Sequence, residues 1–325
     1  MTKSISFTMK VVTFILVSVA FGLTMIALSV RTPSRAQDDG YAWGNSWEDH
    51  SKKFEKQFSV QPDGKLIIDT DVGEISITGT DKNEVSVVVT VRGSSDRLRD
   101  FDVEFSQDGN TVTVSGRQER GNFNNMWGNN SLDARFVIQV PKRFNSRLST
   151  SGGGIAIDNI TGTTDGETSG GDINLTSYEG AIDLTTSGGD LEARKCSGKL
   201  YLKTSGGNVR GEFISGTVEF ETSGGNIELR EIDAKLHAST SGGNIHVEAK
   251  DNKGIELTTS GGNVVLLMPK SVTATVEAST SSGDVSCELE YSGKIKDGEM
   301  HGRINGGGNP VRLETSGGDI EINPL

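Results

Sequence analysis

The sequence predicts an all-β fold, a right-handed parallel β-solenoid, and three observations support this. A Thr-Ser-Gly-Gly tag recurs every 18 residues, apolar residues alternate with polar ones, and the 325 residues include 42 glycines but only 6 prolines. A fixed period of this kind is typical of repeat proteins, in which each unit buries its apolar face against its neighbours. The tag begins at Thr150, Thr168, Thr186, Thr204, Thr222 and Thr240.

Each 18-residue unit divides into two halves of nine residues, as in Gly171–Leu175 and Gly180–Leu184. In both halves a glycine is followed by apolar residues at alternate positions, which is the pattern of a β-strand. We therefore expect two short strands and two tight turns per coil, with coils stacked about 4.8 Å apart.

The nine-residue spacing also decides between two kinds of solenoid. The left-handed hexapeptide helix would place apolar residues every six positions, whereas here they repeat every nine. We favour a flattened coil with two sheets, and the usual crossover rule makes it right-handed.

An Asp or Asn follows the tag glycines in nearly every coil. Stacked in register, these side chains predict a hydrogen-bonded turn ladder. A calcium roll is the alternative, but it requires further glycines and six or more oxygen ligands, of which only one per turn is evident. The row comprises Asp172, Asp190, Asn208, Asn226, Asn244, Asn263, Asp284 and Asp319.

Two outward rows of charged residues alternate in sign at 18-residue steps. Opposite charges on adjacent strands favour this register over a slip by one coil and leave the face near neutral. One row contains Glu192, Arg210 and Glu228, and the other contains Arg194, Glu212, Arg230 and Glu248.

The tag continues with looser spacing towards the C-terminus, at Thr259, as the variant Thr280–Gly283, and at Thr315. Read in chain order, these tags predict three further coils. The segment from Ile320 to Leu325 would then form the free C-terminal edge of the stack.

The N-terminal sequence predicts export from the cytoplasm. Lys3 and Lys10 precede an apolar run at residues 11–30, and Ser34-Arg35-Ala36 has the small-x-small form of a cleavage site. A run of this length can also span a bilayer, so an uncleaved anchor is the alternative. The predicted domains are a signal peptide or anchor at 1–36, a flexible linker at 37–59, an irregular β cap at 60–140 and the solenoid at 141–325.

The formal net charge of −12 argues against nucleic acid or an anionic membrane surface as a partner. We expect contact with a membrane only through residues 11–30, if they stay uncleaved. Cys196 and Cys287 are five coils apart, beyond the reach of a disulfide. We therefore expect two free thiols, with Cys196 in a turn.

No catalytic, cofactor-binding or metal-binding motif is found in the sequence, and we assign no site residue and no cofactor. His237 and His246 are nine residues apart and project from opposite sheets, so they cannot share a metal ion. Polysaccharide lyases on solenoid folds use clustered Asp, Arg and Lys on one sheet, and Asp183 with Tyr201 and Lys203 could form such a cluster. The short turns argue against that alternative.

The chain also resembles a bacterial family of β-strand repeats that carries an adhesin label and is catalogued as a domain of unknown function. The residues of the resemblance are Gly73–Ile77, Phe136–Pro141 leading into Ser149–Gly153, the serial Thr-Ser-Gly-Gly coils, and Gly306–Gly308 leading into Leu313–Ile320. The resemblance covers roughly residues 60–325, implies the fold, and transfers no catalytic residue.

These observations predict an exported, non-catalytic solenoid that serves as an adhesin or cell-envelope interaction protein. The expected partner is a cell-surface or glycan ligand, or an envelope protein. One alternative is a carbohydrate-binding or polysaccharide-cleaving β-helix. Another, suggested by the resemblance, is an accessory protein of an envelope-stress system.

Overall fold

The alternation of apolar and polar residues produces strands whose alternate side chains are buried in most of the described chain. The computed structural model describes residues 50–118 and 132–325. The predicted signal or anchor at 1–36 and residues 37–49 of the predicted linker lie outside the described residues, as do residues 119–131 of the predicted cap.

The described residues form 22 strands and one short helix. The helix is α1, Ser95–Arg99. The N-terminal strands are β1 (His50–Ser59), β2 (Gly64–Thr70), β3 (Glu74–Thr80), β4 (Glu84–Gly93), β5 (Phe101–Asp108), β6 (Thr111–Gln118), β7 (Asp133–Pro141) and β8 (Phe144–Thr150).

Five long strands make up the middle of the fold, and nine shorter ones complete it. The long strands are β9 (Ile155–Thr168), β10 (Ile173–Thr186), β11 (Leu191–Lys203), β12 (Val209–Glu221) and β13 (Ile227–Ser239). The shorter ones are β14 (Ile245–Ala249), β15 (Ile255–Thr258), β16 (Val264–Met268), β17 (Ala274–Thr280), β18 (Val285–Cys287), β19 (Tyr291–Lys296), β20 (Glu299–Ile304), β21 (Pro310–Thr315) and β22 (Ile320–Pro324).

All the strands belong to one continuous sheet. The sheet bends in the middle of each of the five long strands, and the bend divides it into two parts. We call the part that contains the first halves of β9–β13 the first sheet, and the part that contains their second halves the second sheet. The first sheet has the order β1-β4-β7-β3-(β9 to β13)-β14-β16-β22-β18. The second has the order β5-β6-β2-β8-(β9 to β13)-β15-β21-β17-β20-β19.

Neighbouring coils are parallel and in register at the predicted 18-residue step. Ile173 pairs with Leu191, Leu191 with Val209, and Val209 with Ile227. Like positions therefore lie one above another, and the predicted parallel β-solenoid is confirmed. Its right-handed winding stays a prediction.

The middle of each coil differs from the expected tight turn. The backbone of β9–β13 runs through a corner at one residue with a left-handed φ, such as Ser177 at 53° or Phe213 at 57°. The next residue points inward, so the coil has an additional buried column consisting of Ile160, Tyr178, Cys196, Ile214 and Ile232. In these coils the expected turn between the two halves is thus a one-residue corner inside a continuous strand, and Cys196 lies in the buried column rather than in a turn.

Hydrogen bonds explain the composition of the tag turns. The buried Thr204 hydroxyl donates to the Gly189 carbonyl oxygen of the preceding coil at 2.8 Å and accepts from the Gly207 amide at 3.3 Å. The same pair of bonds recurs at Thr186, Thr222, Thr240, Thr259, Thr280 and Thr315. The first tag position thus requires a hydroxyl, because the hydroxyl satisfies two backbone groups that are buried between coils.

The N-terminal end is closed by antiparallel strands, which extend further towards the N-terminus than expected. The coil β2–β3 stacks between β6–β7 and β8–β9. The outermost strand of the first sheet is β1, which pairs with β4 along all ten of its residues. Residues 50–59 are therefore a strand of the cap, and their assignment to the flexible linker is wrong.

The C-terminal coils do not stack in chain order. The last strands, β21 and β22, lie between β15–β16 on one side and β17–β18 on the other. Val311 and Ile320 are fully buried there. The expectation of a free edge at Ile320–Leu325 is therefore wrong, because β22 is covered by β18 and β21 by β17, which in turn pairs with the antiparallel hairpin β19–β20.

Candidate functional site on the second sheet

The outward side chains of the first sheet form the predicted checkerboard of charges. Arg194 Nη2 lies 2.9 Å from Glu212 Oε2, and Arg230 Nη2 lies 2.5 Å from Glu228 Oε1. Arg210 lies across from Glu192 and Glu228 in register, but its guanidinium pairs with Asp190 at 3.4 Å. Each of these exposed ion pairs contributes about 0–1 kcal/mol to the stability of the fold. Their arginine and glutamate side chains line a shallow groove of about 210 Å³.

The predicted turn ladder of Asp and Asn is confirmed. From Asp172 to Asp319 in the stack, the Oδ1 atom of each residue accepts a hydrogen bond from the backbone amide of its counterpart in the next coil, as in Asn208 N to Asp190 Oδ1 at 2.7 Å. The ladder continues from Asn244 through Asn263 and Asp319 to Asp284, in the spatial order of the coils. One oxygen of each side chain along this ladder is thereby engaged by the protein itself.

The second sheet carries a denser group of ionisable side chains on its outer surface. In successive coils Asp183 pairs in register with Tyr201, Tyr201 with Glu219, and Glu219 with His237. Two positions further along, Lys203 pairs with Glu221. The structure therefore brings together the three residues predicted as a possible cluster, Asp183, Tyr201 and Lys203, on one surface.

Glu221 is the most engaged carboxylate of this surface. Its Oε2 lies 2.6 Å from Lys203 Nζ and accepts a hydrogen bond from the Tyr201 hydroxyl at 3.4 Å. The hydrogen bond from Lys203 lowers the pKa of Glu221, and the same contact raises the pKa of Lys203. Partial burial is the main cause that raises the pKa of Tyr201. The carboxylate, ammonium and neutral phenol are thus the favoured forms near neutral pH.

His237 completes the group. Its Nδ1 lies 3.5 Å from Glu256 Oε2 on the next strand of the stack. His246 lies in the first sheet, opposite Glu228, so the two histidines project from different sheets as predicted. Within the described part of the chain, one group of at least three His, Cys, Asp or Glu side chains has the spacing of metal ligands: Glu219, Glu221 and His237.

Sequence reasoning found half of this surface and missed the rest. Asp183, Tyr201 and Lys203 were selected as residues typical of lyase sites, whereas Glu219, Glu221 and His237 were not grouped. The signal was available, since adding 18 residues to Tyr201 gives Glu219, and adding 18 more gives His237.

Both cysteines are free, as predicted. Burial raises the pKa of the Cys196 thiol, whose Sγ donates to the Arg194 carbonyl oxygen. Burial also raises the pKa of the half-buried Cys287. Neither thiol is set up as a reactive thiolate, because a raised pKa disfavours the nucleophilic form.

Comparison with known proteins identifies the family of this chain. The model of the family described as Toastrack DUF4097 matches residues 64–323. The chain belongs to the Toastrack family. This confirms the resemblance inferred from the repeats, to a domain of unknown function with a β-solenoid-like fold. No curated protein matches the Toastrack chain.

Solved structures also resemble this Toastrack chain. One from Clostridium sporogenes, described as a "putative cell adhesion protein", is 12% identical, covers 84% of this chain and 100% of its own, and has a TM-score of 0.24. A "putative adhesin" from Bacteroides fragilis is 14% identical, with coverages of 84% and 97% and a TM-score of 0.35. A "putative lipid binding protein" from Parabacteroides distasonis is 15% identical, with coverages of 87% and 98% and a TM-score of 0.35. At sequence identities of 12–15% and TM-scores of 0.24–0.35, these structures do not indicate the function of this chain.

Residues 50–118 and 132–325 contain no helix that is both long and apolar enough to cross a membrane.

Proposed function

We propose that this Toastrack chain is an exported, non-catalytic scaffold that binds a partner at the cell surface or in the cell envelope through the outer faces of its solenoid. The observation that carries the proposal is the arrangement of the outward side chains. On both sheets they form ladders that repeat from coil to coil, such as Arg194–Glu212 and Lys203–Glu221. A repeating surface suits a long or repetitive ligand, because each coil presents equivalent contacts.

The grooves of the described chain support binding rather than catalysis. They are lined by residues of adjacent strands on the sheet surface, with volumes of about 210, 300, 290 and 420 Å³. Such grooves leave a ligand largely in contact with water. Catalysis by positioned groups draws much of its strength from a site that excludes water, and the geometry of these grooves does not provide that exclusion.

The export half of the proposal rests on the N-terminal sequence. Lys3 and Lys10 before the apolar run of residues 11–30 are the pattern of a segment that directs a chain through a membrane. The solenoid would then function outside the cytoplasm, whether the segment is removed or retained as an anchor.

A carbohydrate is the second candidate class of ligand, and Tyr201 favours it. The ring lies in a groove of about 290 Å³ between Asp183 and Glu219 on the neighbouring strands. An aromatic face can pack against the apolar side of a sugar ring while carboxylates accept hydrogen bonds from its hydroxyls. Binding of this kind is compatible with an adhesin and does not require cleavage.

The test has two parts. The first follows the full-length chain in a bacterial host by cell fractionation and by digestion with protease added outside intact cells. We expect the protein outside the cytoplasm. Its retention in the cytoplasm would contradict the proposal.

The second part applies the purified protein to a glycan array and to envelope fractions, and assays the bound polysaccharides for cleavage. We expect binding without release of products. Cleavage that is lost in Asp183→Asn would replace the proposal with the lyase alternative. Tyr201→Ala tests the carbohydrate candidate, with Tyr291→Ala at the C-terminal hairpin as its control, since Tyr291 lies far along the stack from Tyr201.

A further inference from the structure

Three side chains on adjacent strands of the second sheet converge in the geometry of metal ligands. Glu219 and Glu221 both point outward from β12 because they are two residues apart, and His237 lies opposite Glu219 on β13. One candidate ligand atom from each of the three lies within 4.8 Å of the other two. All three side chains are half-buried, so each can move into contact with an ion that approaches from solvent.

The imidazole of His237 also has a carboxylate beside it. Glu256, opposite His237 on β15, places Oε2 3.5 Å from Nδ1. A carboxylate that holds one ring nitrogen of a histidine fixes the ring and increases the basicity of the other nitrogen, as is typical of metal-bound histidines. With Glu256 beside Nδ1, Nε2 is the nitrogen that we expect to bind an ion beside the two glutamates.

The charges of the group favour an added cation. Two carboxylates on one edge of the group repel each other, and their present counterion is the ammonium of Lys203, 2.6 Å from Glu221 Oε2. The Lys203 side chain is 46% exposed, on a flexible stem, so it can move aside when a divalent ion takes over its role. Tyr201, on β11, borders the group, and its hydroxyl lies 3.4 Å from Glu221 Oε2.

We propose that Glu219, Glu221 and His237 form a binding site for a divalent transition-metal ion, and that Zn²⁺ fits it. One imidazole nitrogen and two carboxylate oxygens are a ligand set that zinc accepts, whereas calcium requires six or more oxygens. Three protein ligands leave a fourth position for water or for a donor atom of a bound molecule. This site goes beyond the proposed function, since zinc binding requires no partner.

Calorimetric titration of the purified full-length chain with zinc chloride tests the site. We expect His237→Ala, Glu219→Gln and Glu221→Gln each to weaken the binding at this site by at least about tenfold. The matched control is His246→Ala, on the first sheet, where Nε2 lies 3.7 Å from Glu248. The control should leave zinc affinity unchanged. Circular dichroism and thermal melting of each variant check that it folds.

Two further variants separate ligation from orientation. Lys203→Met removes the competing ammonium and should tighten zinc binding several-fold. Glu256→Gln should weaken it about tenfold. When Co²⁺ replaces zinc, Glu256→Gln should keep the absorption bands of the wild type, because the three ligands remain, whereas His237→Ala should shift them.

The proposal is overturned if the triple variant of Glu219, Glu221 and His237 binds zinc as tightly as the wild type. It is equally overturned if His246→Ala weakens the binding as much as His237→Ala does. Neither result bears on export or on partner binding, so failure here and failure of the proposed function are distinguishable.

Discussion

At the scale of single residues, the tag glycines show what the stacking distance demands. A Cβ on Gly207 would lie 2.0 Å from the Gly189 carbonyl oxygen of the preceding coil, whereas a Cβ on Gly206 would meet nothing closer than 3.7 Å. Neither residue has a positive φ. The second tag glycine is therefore needed for close approach of the backbones, and not for a left-handed conformation.

This difference predicts opposite effects for two adjacent substitutions. Gly207→Ala should lower the free energy of unfolding by about 1–3 kcal/mol or more, because the methyl group forces the coils apart. Gly206→Ala should leave it unchanged or raise it by about 0.4–1 kcal/mol, because alanine restricts the unfolded chain. Urea denaturation followed by circular dichroism measures both. Equal losses in the two variants would show that the coils are not stacked at this distance.

The Tyr178 hydroxyl gives a prediction for alkaline pH. Two backbone carbonyl oxygens inside the coil are within reach as acceptors for this hydroxyl, that of Gly162 at 2.9 Å and that of Ala181 at 3.1 Å. Burial is the main cause that raises its pKa from 10.0 to about 12. A raised phenol pKa means that the folded state prefers the neutral form. The stabilisation is therefore complete below pH 10 and is lost as the pH rises through about 12.

The measurement is an ultraviolet titration of phenolate formation in the wild type and in Tyr178→Phe. The wild type should show a late component near pH 12 that the variant lacks. If the variant loses an early component that titrates near pH 10 instead, Tyr178 is not buried as described.

At the scale of elements, the sequence predicts the repeating strands well because one rule, alternation at a fixed step, specifies them. It does not predict the corner within each coil, since the left-handed residue there is Asn159, Ser177, Lys195, Phe213 or Glu231. These side chains have no shared chemistry, so the corner position itself leaves no signal in the sequence. The conformation at the corner is imposed by the stacking of neighbouring coils.

The inserted C-terminal strands lead to a prediction about local stability. The Thr259 and Val264 amides donate to the Glu314 and Asp319 carbonyl oxygens, which belong to the inserted coil. Deleting residues 310–325 should therefore greatly accelerate hydrogen exchange at these two amides. The Ile173 amide, which donates to Asp190 in the middle of the stack, should keep its protection. Unchanged protection at Val264 in the deletion variant would mean that β22 does not cover β16.

At the scale of the whole molecule, the stack has an order that differs from the order of the chain. The tags alone could not predict this, because Thr-Ser-Gly-Gly has the same chemistry in every coil and fits any slot. The wider intervals between tags before Thr280 and Thr315 indicate that the stacking changes there, but they do not predict the new order of the coils. The antiparallel strands at the ends of the stack cover edges whose unpaired backbone N–H and C=O groups would otherwise pair with other chains.

The group on the second sheet belongs to this scale too. Its members come from five coils, at Asp183, Tyr201, Glu219, His237 and Glu256, and meet only because the coils are in register. Its residue types were visible in the sequence, but their convergence depends on the stack. The proposed zinc site and the proposed carbohydrate contact at Tyr201 therefore both depend on the vertical alignment of like positions.

The most direct test of that alignment measures distances between spin labels on exposed tag serines, in a background without Cys196 and Cys287. One label stays at Ser169 and the other is moved to Ser241, Ser260, Ser316 or Ser281. The stack predicts distances of about 19, 24, 29 and 34 Å in that order, since each coil adds about 4.8 Å. A label at Ser281 closer to Ser169 than the label at Ser316, or distances without this regular increment, would contradict the account.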